Sequence, residues 1–138
     1  MAARLTIAAD LAATAQLAPW LAGLATAWPA PLAFAVELCL DEVVTNIAMH
    51  GDAGEISIEI DQDDSSVTAR IEDAGREFDP TAASRPLPTS LDEAEIGGLG
   101  LVLVKRFSAG LRSTRLAGRN RLELRFDAAA TAAADRAG

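Results

Sequence analysis

The stretch LAFAVELCLDEVVTNIAMHG, Leu32 to Gly51, carries two periodic rows at once. Val36, Leu40, Val43 and Ile47 recur at steps of four, three and four, which puts them on one stripe of a helix and makes that stripe the buried one. Glu42, Asn46 and His50 recur at four and four on a different stripe. The spacing predicts a helix over roughly Leu32 to Met49 with one face for a core and one loaded with an acid, an amide and the chain's single histidine. Cys39 lies within the apolar run; as the lone cysteine it has no internal disulfide partner and reads as a small buried hydrophobe.

Period-two patterns flank this helix. Upstream, Leu5, Ile7 and Ala9 alternate with Arg4, Thr6 and Ala8 in a short strand, and Asp10 is placed to cap the next helix. Ala-rich sequence then leads to a helix starting or kinking near Pro19, with Trp20, Leu21 and Leu24 toward the core. Pro29 and Pro31 punctuate before the long helix. Downstream, Ile56, Ile58 and Ile60 line one side of a strand, DQDDSS makes the connection, and Val67, Ala69 and Ile71 line one side of the next. One more step of that alternation turns Asp73 inward as well. Residues 74–96, with Gly75, Pro80, Pro86 and Pro88, show little periodicity and suggest a lid. GGLGLVLVKRF then opens a third helix, and Leu111 to Leu116 with Leu122, Leu124 and Phe126 form a final hairpin turned at Gly118.

Strands grouped in hairpins, with helices to cover one face, imply an α+β fold. Its expected form is a two-layer sandwich with a mostly antiparallel sheet. At 138 residues the chain fits one domain, taken as residues 1–127, followed by an alanine-rich tail over 128–138 that packs nothing obvious and is expected to fray. The composition, 50% hydrophobic and 23% charged, is that of a soluble globular protein. A net charge of −8 argues against duplex nucleic acid as a partner, since such binders neutralise phosphates with Lys and Arg. The basic residues crowd the last third: Lys105, Arg106, Arg112, Arg115, Arg119, Arg121 and Arg125. Solvated outer faces account for most of them, leaving one or two for function. MAARLTIAADLAATAQ has no long apolar core of a secretory signal, and no window reaches the ~20 apolar residues of a membrane span, so a cytoplasmic location without membrane attachment is expected.

The chemistry sits in three places. Glu42 and Asn46, one helical turn apart, bring a carboxylate and an amide carbonyl within reach of one ion or water; exposed polar pairs at this spacing are also common without function. Asp73, inward at a strand end with Gly75 beyond it, suits an exocyclic amine such as that of adenine, or else ties down the following turn. Gly97, Gly98 and Gly100 precede a helix whose free amides favour a phosphate chain, or else serve as a hinge. Lys105 reaches a phosphate from the second turn or snorkels to solvent. The glycine pattern matches neither the P-loop nor the dinucleotide fingerprint.

The order of these elements, helix E-x-x-x-N, strand-terminal D-x-G, lid, then G-G-x-G opening a helix, resembles the GHKL (Bergerat-fold) ATPases over about Leu32 to Phe126. Within them the chain is most similar to the bacterial anti-sigma factors that are also serine/threonine kinases, the RsbW type. DEVVTNIAMHG looks like their N box, EDAGREFDP like their first glycine box, and EAEIGGLGLVLVKRF with GRNRLELRF like their second glycine box and last hairpin. The resemblance implies Glu42 as catalytic base, Asn46 as magnesium ligand, Asp73 as the adenine-reading acid and Gly75 as its neighbour. It further implies that Phe78, Gly97, Gly98, Leu99, Gly100, Leu101 and Lys105 complete the ATP site under the lid. ATP and Mg2+ would be the cofactors. The implied partners are an anti-anti-sigma factor of STAS type, phosphorylated on Ser or Thr, and a sigma factor held inactive, with the kinase a homodimer. The alternative is a non-catalytic module that sequesters a regulatory protein in an ATP-dependent way. His50, at the helix end, is left to cap carbonyls.

Overall fold

The computed structural model describes residues 2–50, 54–63, 65–76, 107–129 and 131. The first strand, β1 (Ala2–Ala8), leads through a 3-10 turn (Ala13–Gln16) into α1 (Leu17–Ala25) and α2 (Ala30–His50). Then come the hairpin β2 (Glu55–Gln62) and β3 (Ser66–Asp73) and, later in the chain, the hairpin β4 (Gly110–Leu116) and β5 (Arg119–Asp127); the expected lid, beyond Arg76, lies outside the described residues. The five strands form one sheet in the order β1-β2-β3-β5-β4, and every described pairing is antiparallel. The expected α+β architecture is what forms. The expected third helix, with Phe78, Gly97, Gly98, Leu99, Gly100, Leu101 and Lys105, lies outside the described residues.

Local chemistry sets the element ends. Asp10 Oδ1 accepts the Ala13 amide at 2.7 Å, holding the entry to the 3-10 turn as a capping carboxylate should. The helical run begins at Leu17, slightly ahead of the expected start, so Pro19 falls in the first turn of α1, where its missing N–H costs nothing. Pro31 sits likewise in the first turn of α2, and the Pro29 carbonyl takes the first helical bond, from the Ala33 amide at 3.0 Å. Trp28 Nε1 donates to Gln62 Oε1 at 2.6 Å, fastening the α1–α2 connection to the end of β2.

One apolar cluster fills the space between the helices and the sheet. Leu17 and Leu21 of α1 and Val36, Cys39, Leu40, Val43 and Val44 of α2 meet Ile7, Ile56, Ile58, Ile60, Val67, Ala69, Ile71, Leu122, Leu124 and Phe126 from the sheet. Trp20, Leu24 and Ile47 pack against its margin. Phe34 of α2 meets the Phe107 ring edge-on, centroids 6.0 Å apart, so α2 also touches the segment that feeds β4. The start of the C-terminal tail is held rather than frayed: the Ala128 amide bonds the Ser65 carbonyl at 3.0 Å, and Thr131 is 1% exposed. Among the described residues no helix is long and apolar enough to cross a membrane.

The other face of the sheet is polar and ordered by charge. Glu59 lies between Arg4 (3.0 Å) and Arg70 (3.3 Å), and Arg70 also reaches Glu123 at 3.0 Å. Glu72 has Arg119 and Arg121 at 3.6 Å, and Arg125 has Asp127 at 3.5 Å. Much of the basic last third is thus committed to this outer face, where each pair contributes at most about 1 kcal/mol.

The β4–β5 hairpin turns on two residues, Ala117 (φ 54°) and Gly118 (φ 76°). Two consecutive positive φ values are those of a type I′ turn, which matches the twist of the strands and favours Asn-Gly. Alanine bears the left-handed penalty there. Ala117→Asn is expected to raise stability by about 0.5–1 kcal/mol; a urea midpoint at or below that of the parent would refute it.

Candidate functional site

The inward face of the sheet changes character along one cross-strand row. Ile7, Ile56, Asp73, Asn120 and Arg115 are successive neighbours across β1, β2, β3, β5 and β4. The first two are core. The last three are polar, and hydrogen bonds join them. Asp73, 6% exposed, accepts from the Gly75 amide at 2.9 Å and from Asn120 Nδ2 at 3.1 Å, both through Oδ1. Asn120 Nδ2 also donates to the Arg76 carbonyl at 2.7 Å. Arg115 Nη1 donates to the Gly75 carbonyl at 2.7 Å and to Asn120 Oδ1 at 3.1 Å.

The two readings open for Asp73 therefore divide between its oxygens. Oδ1 ties down the turn that follows the strand, as a purely structural carboxylate would. Among the described residues no donor reaches Oδ2, which keeps its acceptor capacity for a ligand. Gly75, buried at the turn, has both its amide and its carbonyl engaged.

Sequence reasoning misses Asn120 and Arg115. The signal for Asn120 is present: Leu122, Leu124 and Phe126 alternate inward, and one step back along the same parity is Asn120, the same extension that locates Asp73. Arg115 carries no such mark in a segment of many arginines; its role emerges only from the β4–β5 register.

Above the sheet, α2 delivers Glu42 and Asn46 one helical turn apart, Cβ atoms on the order of 6 Å from each other. Asn46 is 7% exposed, and its Oδ1 is buried with no hydrogen-bond partner among the described residues. Burying a carbonyl oxygen unpaired costs about 1–3 kcal/mol, so a native protein keeps one where something else will meet it. A hard cation that prefers oxygen, and fills most of its positions with water and phosphate, fits such a single protein ligand, as Mg2+ does. Glu42 is half-buried, and its carboxyl is pushed above the usual glutamate value, first by burial and then by the neighbouring Asp41 carboxylate. A carboxylate so raised is a stronger proton acceptor. Cys39, one turn earlier, is fully buried, and burial, with Glu42 second, pushes its thiol up to about 12. It is an inert packing group at neutral pH. No hydrogen bond or ion pair among the described residues links Glu42 or Asn46 to the Asp73 group.

The site thus presents an aspartate oxygen held ready for a donor, a buried carbonyl oxygen suited to a cation, and a carboxylate with raised proton affinity. Residues 7–126 match the histidine kinase-like ATPase domain. The serine/threonine-protein kinase BtrW of Bordetella bronchiseptica is 40% identical over 102 residues, which span 70% of this chain and 72% of that protein. With the antiparallel α+β sheet, these matches make the chain a member of the histidine kinase-like ATPase family, ATP-binding and kinase-like in function.

Proposed function

We propose that this protein is an ATP-dependent serine/threonine kinase of anti-sigma type, which phosphorylates a Ser or Thr on an anti-anti-sigma (STAS-type) partner and otherwise sequesters a sigma factor. The observation that carries this reading is the α2 pair: a buried Asn46 Oδ1, without a partner among the described residues, one turn from a half-buried Glu42 whose carboxyl is raised. A passive ATP-dependent binder has no use for a base at that position.

In this reading Asn46 Oδ1 holds the magnesium ion, which supplies charge neutralisation for the triphosphate when bound. Asp73 Oδ2 accepts from the exocyclic amine of adenine while Oδ1 stays committed to Gly75 and Asn120. Gly98 and Gly100, with the amides of Leu99 and Leu101, hold the phosphates, and Phe78, Gly97 and Lys105 complete the pocket. Glu42 accepts the proton of the acceptor hydroxyl. The hydroxyl oxygen bonds to the γ-phosphorus, the bond from that phosphorus to the β,γ-bridging oxygen breaks, and ADP leaves.

Calorimetry with the purified protein is expected to give a micromolar or weaker Kd for MgATP and a loss of affinity when magnesium is chelated. No heat of binding with magnesium present would overturn the nucleotide site. Incubation with γ-labelled ATP and a STAS-domain protein recovered by pull-down is expected to label that protein on Ser or Thr. ATP-dependent capture of a partner that never takes up label would favour sequestration alone.

A further inference from the structure

We propose that Arg115 is a positioning residue for nucleobase selection: it acts from the far edge of the sheet, through Asn120 and Gly75, on Asp73, and so sets which purine the pocket accepts. The proposal rests on the ATP reading above and extends it to a residue that does not itself meet the nucleotide.

The direction of the hydrogen bonds carries the argument. A guanidinium has donors only. Placed at 3.1 Å from Asn120, Arg115 Nη1 fixes the oxygen of that side-chain amide on its own side, which turns the Nδ2 hydrogens toward Asp73 and the Arg76 carbonyl. The reversed amide would set an oxygen against the Asp73 carboxylate and the Arg76 carbonyl. The other Nη1 hydrogen goes to the Gly75 carbonyl at 2.7 Å, closing the turn whose amide also points at Asp73 Oδ1. The chain from Arg115 through Asn120 thus runs from donor to acceptor to Asp73 Oδ1, where the Gly75 amide also ends, and such chains strengthen one another. The carboxylate is held from two sides through one oxygen. The orientation of the other oxygen is then fixed: it accepts from an amino group, as adenine offers, and repels a carbonyl, as guanine offers in the same place.

Arg115 differs from Arg119, Arg121 and Arg125 in its direction. Arg119, Arg121 and Arg125 meet carboxylates on the outer face. Arg115 pairs with Asn120 in the β4–β5 register and so belongs to the inward row, while its bonds go to neutral oxygens. An arginine committed to a backbone carbonyl and an amide oxygen is there for geometry rather than charge pairing.

The test compares the parent with Arg115→Ala and Arg115→Lys in full-length protein. Dissociation constants are measured for MgATP and MgGTP, amide exchange at Gly75 in the absence of nucleotide, and the melting temperature. For the alanine variant the expected results are an ATP affinity about 10-fold weaker, an ATP-over-GTP preference reduced about 10-fold, and faster Gly75 exchange, with a melting temperature within about 3 °C of the parent. Lysine, which donates to either oxygen, is expected to recover part of the preference. Unchanged affinity and preference in the alanine variant, with the parent binding ATP, would overturn the proposal. Faster Gly75 exchange with an unchanged preference would overturn it as well, leaving Arg115 a structural tie. A parent that binds neither nucleotide would instead fail the ATP reading, and this role of Arg115 with it.

Discussion

Replacing Glu42 by glutamine is expected to lower the rate of phosphotransfer by about 10²–10⁴-fold while leaving MgATP affinity within about 2-fold of the parent. Glutamine keeps the shape and cannot take a proton. Single-turnover transfer from labelled ATP, beside calorimetry on the same preparation, separates the two quantities. Transfer at the parental rate would remove Glu42 as base. The same substitution makes a second, opposite prediction. The folded-state carboxyl titrates above its ordinary value of 4.5, chiefly through burial. The folded protein therefore holds this proton to higher pH than the unfolded chain does, and stability from this group is greatest in acid and falls as pH rises from the ordinary value through the raised one. At neutral pH the parent carries a charge whose burial is unfavourable. The glutamine variant is expected to melt no lower than the parent there, and catalysis and stability should respond to pH in opposite senses: phosphotransfer falls as the solution is acidified through the raised value.

Asp73→Asn is expected to weaken ATP binding by about 10²-fold or more. The variant amide oxygen can still accept from the Gly75 amide and Asn120 Nδ2, so the turn keeps its closure. The outward atom, however, becomes a donor facing the donor of the adenine amino group, which is worse than no contact. The fold should persist, with circular dichroism like that of the parent. Preserved ATP affinity in a folded Asp73→Asn protein would show that Oδ2 does not meet the base.

Much of this arrangement was legible from residue order because it depends on local periods. Val36, Leu40, Val43 and Ile47 set the buried side of α2, and that choice alone placed Asn46 and Glu42 on a second stripe. Strand parity from Val67 through Ile71 sent Asp73 inward before any partner strand was known. Asn120 and Arg115 escaped for a different reason: their significance lies in a pairing between β3 and β5 that spans 47 residues of chain, and in the further pairing to β4. Neither period nor propensity encodes which strands become neighbours. The anchoring of Ala128 escaped for the same reason, since its amide finds its acceptor at Ser65, more than sixty positions away. The second glycine box and the end of the first carry much of the nucleotide reading from the sequence and lie outside the described residues, so that part of the site rests on motif and family membership.

The charged face of the sheet touches no proposed ligand, yet it protects the alignment on which the pocket depends. Sliding β5 along β3 by two residues keeps every apolar side chain on the core side, so the core discriminates weakly between the two alignments. The outer face adds discrimination, up to about 1 kcal/mol for each opposed pair. In the observed alignment Arg70 faces Glu123 and Glu72 faces Arg121. A slip in one direction would set Arg70 against Arg125 and Glu72 against Glu123; in the other, Arg70 would meet Arg121. Like charges directly opposite are unfavourable in both cases. The first slip would also put Leu122 beside Asp73, and the second would leave Asp73 beside Gly118 in the turn. The outer face works as a proofreader of strand alignment: surface charges on one side of the sheet reject the misfolded states in which Asp73 loses Asn120 on the other.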